Sequence, residues 1–274
     1  MTHAYYVNSI ISGFSASSFA WTTGPADDTR LYVVDGRLDK RYVLSSVAST
    51  ANVVIDFGTS TSVKSFAVLN SNISEASGTP TLLVESDDNA GFSSPTTRKA
   101  ATTLNLVAPN NKDHALVFTA AAERYWRLTW TWTGSFALKV GEIVAATTVT
   151  SLSRTSIYGS GESEEYKNSR VEMANGDVRS HFISGPIPSR SLNFDALSAA
   201  DREELFIMHR ATKGGALPIL WIDDVVESAS AGTAASQRCI YGRTQPILGW
   251  TQDDFAVYGV SGIEIRGMTR EMGA

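Results

Sequence analysis

Four pairs of adjacent aspartates carry the side chains of this sequence that could support catalysis. In glycoside hydrolysis two carboxyl groups flank the scissile bond and act as acid and as base or nucleophile. Each aspartate pair, however, borders a predicted strand, where aspartate commonly forms turns. The turn interpretation is preferred, and a glycoside-cleaving enzyme is kept as the third alternative. The pairs are Asp27–Asp28, Asp87–Asp88, Asp223–Asp224 and Asp253–Asp254.

Other catalytic and metal-binding motifs are missing from the sequence. The four histidines are dispersed and lack the spacing of paired metal ligands. There is no GxSxG nucleophile turn, no phosphate-binding loop and no dinucleotide-binding GxGxxG motif. The sequence therefore predicts a protein that is not an enzyme, has no catalytic residues and needs no metal or cofactor.

Net charge and composition argue against nucleic acid and membranes as binding partners. The 274 residues carry a net charge of −5, which argues against nucleic-acid binding because that function relies on a basic patch. No apolar run approaches the roughly 20 residues of a membrane helix, and the first residues lack the pattern of a signal peptide. The sequence therefore predicts synthesis in a cytoplasm without export or membrane insertion. The single Cys239 excludes an internal disulfide.

The segment from Arg124 to Trp132 predicts the central strand of a β-sandwich. With a period of two residues, one face of this strand holds Trp126, Leu128, Trp130 and Trp132. The opposite face holds Tyr125, Arg127, Thr129 and Thr131. An aromatic face of this size is either buried or serves as a platform on which sugars stack. The buried interpretation is preferred, because tryptophan is mostly buried in proteins.

Further strands recur between residues 53 and 144 with no convincing helix between them, which predicts an antiparallel sandwich. Leu31-Tyr32-Val33-Val34 predicts a short strand ahead of them. An ordered set of segments resembles the discoidin, or galactose-binding-like, jelly roll over roughly residues 15 to 147. The set comprises Asp35-Gly36, Val54-Ile55-Asp56-Phe57-Gly58, Val84-Glu85-Ser86-Asp87-Asp88 with Phe92, Arg124-Tyr125-Trp126-Arg127-Leu128 and Glu142-Ile143.

This resemblance implies a jelly roll that binds glycans or lipids through loops at one end. Some members of the family also hold a structural calcium. The present chain has no conspicuous acidic cluster beyond Asp35, Asp39 and Glu142, so a calcium ion is not predicted.

The composition changes after residue 147. Residues 148–168 are rich in serine, threonine and glycine and are predicted to form a polar linker or a long loop. Residues 1–147 and 169–274 are then separate domains, the second a β-barrel or sandwich in which Asn175-Gly176 predicts a hairpin turn. Ser198 as N-cap and Gly214-Gly215 as terminator predict one helix over about 198–213. Its expected apolar side comprises Ala200, Leu205, Met208 and Ala211.

The combination of the two domains resembles the distal tail and baseplate proteins of long-tailed bacteriophages. Beside the helix, the similarity lies in Leu192-Asn193-Phe194, Leu220-Trp221-Ile222 and Tyr241-Gly242. It implies a structural protein of the virion tail tip that joins the tail tube to the adsorption apparatus. It also implies a ring of six copies held by residues 166–274, with other tail and baseplate proteins as partners. A standalone carbohydrate-binding protein is the alternative.

If the first domain binds glycan, its strand-end loops are expected to form the site. Sugar recognition requires an aromatic face, charged hydrogen-bonding groups and an amide. An Arg–Asp surface pair, and a loop aromatic that closes the end of the sandwich, would explain the same residues without a ligand. The candidate ligand-binding residues are Trp21, Arg37, Asp39, Arg41, Asn89 and Phe92.

Overall fold

A computed structural model describes most of the chain. The described residues are 3–7, 9–22, 28–35, 38, 40–44, 48–104, 112–153, 161–172, 178–223, 239–245, 251–254 and 257–268. Within these ranges no helix is both long enough and apolar enough to cross a membrane.

Antiparallel strands dominate the described residues. In chain order they are β1 Ala4–Val7, β2 Phe19–Trp21, β3 Tyr42–Val43, β4 Ala48–Leu69, β5 Ser77–Asp87, β6 Thr96–Thr103, β7 His114–Phe136, β8 Lys139–Val140, β9 Glu142–Ala146, β10 Thr150–Ser151, β11 Gly161–Glu172, β12 Val178–Leu197, β13 Ile219–Ile222, β14 Cys239–Thr244, β15 Thr251–Asp254 and β16 Val257–Gly267. Helix α1 spans Ala199–Ala211, and short 3-10 helices span Ala16–Ser18, Asp28–Val33 and Ile73–Glu75.

The first part of the chain forms a sandwich from two long, bent strands. One sheet has the order β2-β4-β7-β5-β6. Strands β4 and β7 lose register between Asp56 and Thr61, then pair again, and β9 joins β4 there. The rings of Phe66 and Phe118, from beyond the irregularity, lie 5.6 and 5.8 Å from the ring of Trp126. The two halves of β4 and β7 therefore face each other across one core.

The tryptophan face of β7 lies in that core. Trp126, Leu128 and Trp130 have no exposed surface, and Trp132 is 6% exposed. Val53 of β4 and Val84 of β5 flank Leu128 on the same face. The predicted buried role of these tryptophans is confirmed, and the sugar-stacking platform is wrong, because a ligand cannot reach the rings.

The second part of the chain forms an eight-stranded sheet with the order β10-β1-β13-β14-β16-β12-β11, in which β15 also pairs with β16. Three of its strands, β1, β10 and β11, lie wholly or partly outside the predicted second domain. Strand β1, at the amino end of the described chain, pairs with β13, and β11 begins at Gly161, inside the predicted linker. Sheet membership therefore does not follow the boundaries at residues 147 and 168. The division of the chain into independent domains stays a prediction.

A buried apolar cluster joins the two parts. Ala67, Leu69 and Val117 of the sandwich turn away from its core and contact Leu220 and Ile222 of the second sheet. Their sequence neighbours Phe66, Val68 and Leu116 point into the sandwich core. These strand segments are buried on both faces, so their sequences read as continuous apolar runs rather than as alternation. The polar composition of residues 148–168 gave no sign of this contact.

Helix α1 covers the other face of the second sheet. The side chain of Ser198 accepts a hydrogen bond from the backbone N–H of Asp201 at 3.1 Å, as an N-cap does. Leu205 and Met208 are buried against the sheet. The predicted helix and cap are confirmed, but Ala200 and Ala211 of the predicted apolar side are exposed. The helix contacts the sheet with a narrow stripe, and small alanine side chains at its edges cost little when solvated.

Residues Leu31–Val34 do not form the predicted strand. The 3-10 helix Asp28–Val33 takes their place, and Arg30 donates a hydrogen bond to the carbonyl of Phe19 at 2.9 Å. Val33 is fully buried. A run of four apolar residues can contact a core in either conformation, and none of the described strands pairs with this segment to favour the extended one. The predicted hairpin is confirmed by the pairing of Glu172 with Val178, although its turn lies outside the described residues.

Candidate functional site

The four described residues of the predicted ligand-binding set do not meet at one place. Trp21 lies in strand β2, not in a loop, and is 9% exposed. Its ring stacks on Tyr42 at 4.7 Å and lies parallel to Trp130 at 6.0 Å. Arg41, next to Tyr42, is 7% exposed. Trp21 and Arg41 thus belong to a buried end of the sandwich. Arg37 and Asp39 lie outside the described residues.

Asn89 and Phe92 lie at the opposite end. They follow Asp87, which pairs with Tyr125 of β7. Tyr125 precedes Trp130 by five residues, a distance of roughly 17 Å along a strand. Phe92 also lies on the other face of the sheet, because it contacts Arg127, whose side chain points away from the tryptophan core. Of the four described residues of the predicted set, Asn89 and Phe92 therefore lie in one loop, where Asn89 is exposed and Phe92 is buried.

The loop after β5 is ordered by its own side chains. The carboxylate of Asp87 accepts hydrogen bonds from the backbone N–H groups of Asn89 and Ser94, both at 3.1 Å. The side-chain oxygen of Asn89 accepts the N–H of Gly91 at 2.8 Å. Desolvation alone would raise the pKa of Asp87, but the donated N–H groups outweigh it and hold that pKa below its usual value. This loop is fixed before any ligand arrives.

Phe92 adopts a backbone conformation that is rare for a bulky residue. Its φ is +49°, in the left-handed region. The N–H of Phe92 bonds to the carbonyl of Asn89 at 3.1 Å, and the guanidinium of Arg127 lies 4.3 Å from the ring centroid. Arg127 is in turn held by two hydrogen bonds to one oxygen of Glu85, at 2.9 and 2.8 Å. Strained backbone of this kind is concentrated at binding and catalytic sites.

The middle of β7, where it pairs with the end of β5, adds an aromatic ring. Tyr125 is half-buried, and the guanidinium of Arg124 lies 4.8 Å from its ring centroid. Arg124 also donates two hydrogen bonds to the carboxylate of Asp56, at 2.8 and 3.0 Å. These bonds hold the pKa of Asp56 below its usual value. Prediction from sequence missed Tyr125, although the period of two had already placed it on the face opposite the tryptophans.

We call this end of the sheet the β5–β7 rim; it comprises Asp56, residues 85–94, Arg98 and residues 123–127. Three arginine–carboxylate pairs cross between its strands: Asp56–Arg124, Glu85–Arg127 and Glu123–Arg98, at 2.8, 2.8 and 3.1 Å. The pairs cancel in charge, so Asp87 and Asp88 leave the rim with a formal charge of about −2. An anionic ligand is disfavoured there, whereas neutral or cationic hydroxylated ligands are not.

The rim offers hydrogen bonding rather than metal chemistry. Within the described ranges no three His, Cys, Asp or Glu side chains are grouped so that they could hold a metal ion. Of the three acidic residues named in the sequence analysis, Glu142 is buried in β9, Asp35 is exposed, and Asp39 lies outside the described residues. The exposed amide of Asn89 keeps its Nδ2 donors free of partners within the described part of the chain. Such donors, beside a tyrosine ring, suit sugar hydroxyl groups.

Comparison with known proteins finds similarity in structure alone. No protein-family model matches the sequence, and no curated protein matches it. A Ruminococcus gnavus GH29 fucosidase matches 48% of this chain at 12% identity with a TM-score of 0.39. The chain spans only about a quarter, 26%, of that enzyme.

Two smaller proteins match over most of their own length. One is a chitosan-binding module of a chitosanase/glucanase from Paenibacillus sp. IK-5, with 17% identity, 51% of this chain, 98% of that chain and a TM-score of 0.39. The other is module CBM32-3 of a family 31 glycoside hydrolase from Clostridium perfringens, with 14% identity, 49% of this chain, 94% of that chain and a TM-score of 0.38. The described chain is a mainly β protein built from antiparallel sheets.

Proposed function

We propose that the jelly roll binds carbohydrate at the β5–β7 rim. The observation that carries this proposal is the ordered loop after β5. It presents the exposed amide donors of Asn89 two residues beyond Asp87, which pairs with the half-buried Tyr125 of β7. A loop that is already fixed loses little conformational entropy on binding, so weak hydroxyl contacts can yield measurable affinity. The known carbohydrate-binding modules with similar folds make glycan the first ligand class to test.

The charge of the rim narrows the ligand class. Its three cross-strand ion pairs already satisfy the arginines, and Asp87 and Asp88 add negative charge. Acidic polysaccharides would meet repulsion, which salt would weaken. We therefore propose neutral sugars or amino sugars as ligands, bound by the amide of Asn89, the ring of Tyr125 and the carboxylate of Asp88.

The test is a glycan array probed with the full chain, followed by calorimetry on the glycans that bind. Asn89→Ala and Tyr125→Ala should each weaken binding about 10-fold or more, the scale of one lost hydrogen bond or ring contact. Both variants should unfold within about 1 kcal/mol of the parent, because Asn89→Ala removes one exposed hydrogen bond to Gly91 and Tyr125 is only half-buried. Thr131→Ala, on the same face but at the far end of β7, is the matched control. No binding to neutral or amino sugars, or binding that survives both rim variants, would refute the proposal.

A structural role in a phage tail tip is a second proposal. Its support is the sequence resemblance within residues 192–242 and the place of β11 as the outermost described strand of the second sheet. In this proposal the protein is part of the virion and contacts other tail proteins, and host-surface glycan bound at the rim is compatible with it. Co-purification with phage particles, detected by mass spectrometry of virions, would support it, whereas absence from virions would contradict it. The non-enzymatic role stays a prediction, tested by incubating the protein with each glycan that binds and looking for cleavage products.

A further inference from the structure

A cavity beside strands β14 and β16 is lined by charged and amide side chains. Its volume is about 470 Å³, within the range of about 300–1,000 Å³ that is typical of small-molecule sites. One wall is the loop of residues 214–216, which follows α1. The other walls include the side chains of Arg243, Gln245, Glu264 and Arg266. None of these residues belongs to the β5–β7 rim.

The four side chains form two rows of different charge. Arg243 of β14 lies directly opposite Arg266 of β16. In the next row the backbone N–H of Gln245 donates to the carbonyl of Glu264 at 3.2 Å. Residues two apart on a strand share a face, so both rows point to the same side of the sheet and lie about 6.5 Å apart. The cavity therefore has a positive end and a negative end.

The positive end suits a carboxylate group. Arg243 donates to the backbone carbonyl of Ala216, and Arg266 donates to the carboxylate of Glu165. The side chains of that ion pair are 50% and 56% exposed, so the pair orients Arg266 but binds it weakly. The described partner of Arg243 is a neutral carbonyl, which leaves its charge unmatched. Like charges directly opposite each other destabilise strand pairs, and a carboxylate between two planar guanidinium groups removes that repulsion.

The negative end suits an ammonium group. Gln245 donates from its side chain to Oε2 of Glu264 at 2.7 Å, which fixes the carboxylate without neutralising it. The charges of the two arginines, Glu264 and Glu165 cancel. A ligand with no net charge but with separated positive and negative groups therefore matches this arrangement.

We propose that the cavity binds a free α-amino acid, with its carboxylate between Arg243 and Arg266 and its ammonium group against Glu264. The loop wall is fixed in advance, because the N–H of Gly214 donates to the carbonyl of His209 at 3.0 Å and the N–H of Leu217 to that of Thr212 at 2.9 Å. A fixed wall loses little conformational entropy on binding.

The experiment is a thermal-shift screen of the full chain against the twenty common L-amino acids. At about 10 mM, at least one should raise the melting temperature, because a ligand that binds only the folded state stabilises it. Calorimetry on the amino acids that bind should give a Kd of about 1 mM or tighter. The amine that lacks the carboxylate, and the acid that lacks the amino group, should each bind about 10-fold or more weakly, since each loses one charged contact.

Arg243→Gln and Glu264→Gln should each weaken binding of the amino acid about 10-fold or more. Glu264→Gln keeps an oxygen that can accept from Gln245, and Arg243→Lys keeps a donor for the carbonyl of Ala216. Arg243→Lys should still weaken binding, because lysine lacks the planar fork. Circular dichroism of the variants without amino acid should match that of the parent.

Arg210→Gln on α1 is the control for the change in charge. Arg210 is exposed, and its ion pair with Glu203 is also exposed, at 3.7 Å, so this variant should bind like the parent. Asn89→Ala should also bind like the parent, because Asn89 lies on the rim; weaker binding would place the amino acid there and overturn the proposal. The proposal is also overturned if none of the twenty amino acids binds, if the acid without an amino group binds equally well, or if binding survives Arg243→Gln or Glu264→Gln.

Discussion

Replacement of Trp126 by alanine tests the tryptophan core most directly. The side chain has no exposed surface and contacts the rings of Phe66 and Phe118. Its indole N–H also donates to the carbonyl of Glu123 at 3.2 Å. A buried aromatic removes about 150–250 Å² from water, which corresponds to about 4–6 kcal/mol at 25 cal/mol per Å². Measured tryptophan and phenylalanine deletions of about 3–5 kcal/mol agree with that scale.

This loss is a large fraction of the free energy of unfolding, because native domains are stable by only about 5–15 kcal/mol. With a urea dependence of about 2 kcal/mol per molar, a loss of 4 kcal/mol moves the unfolding midpoint down by roughly 2 M. Urea denaturation followed by far-ultraviolet circular dichroism measures this shift. Trp126→Phe should recover more than half of it, since the smaller ring still fills most of the space.

Thr131→Ala is the control, because Thr131 lies on the exposed face of the same strand. It should unfold within about 0.5 kcal/mol of the parent. If Trp126→Ala unfolded at the same urea concentration as the parent, the tryptophan would not be part of a tightly packed core. The assignment of the aromatic face to the sandwich interior would then be wrong.

Three further predictions address other parts of the molecule. Leu220→Ala, in the cluster shared by the sandwich and the second sheet, should lower the free energy of unfolding by about 2–5 kcal/mol. Limited proteolysis should then find new cleavage sites in both parts. Cleavage confined to residues 148–168 would instead indicate independent domains. Desolvation raises the pKa of Asp201, but hydrogen bonds from Ser153 and Ser198 outweigh it and hold that pKa low. The contribution of Asp201 to stability is therefore present above its unfolded pKa and is lost as pH falls through its folded pKa. Between pH 7 and pH 3 the melting temperature should fall less steeply for Asp201→Asn than for the parent, and equal slopes would contradict this. Gly215→Ala should destabilise the protein more than Gly58→Ala in the same melting assay, because both have positive φ but only at Gly215 would a Cβ lie 2.0 Å from the carbonyl oxygen of Thr244; similar costs would show that this contact relaxes freely.

Local patterns in the sequence determined the central strand and the helix. The period of two in residues 124–132 predicts which face of β7 is buried, since successive strand residues point to opposite faces. Ser198 predicts the start of α1, because an N-cap satisfies backbone donors within its own turn. The same period of two also marked Tyr125 and Arg127 as belonging to the outer face. In each case the decisive interactions lie within a few residues along the chain.

Tertiary structure alone decided which distant segments meet. The pairing of β1 with β13 joins residues more than 200 positions apart, and no local pattern encodes that partner. The burial of Leu69 on a second face depends on the sheet that packs over it, so its apolar run could not reveal what covers it. Trp21 and Phe92 looked alike as aromatic residues near turns. The fold buries Trp21 in the sandwich core and Phe92 against Arg127 on the opposite face of the sheet, because strand register, not composition, sets the end and the face to which each belongs.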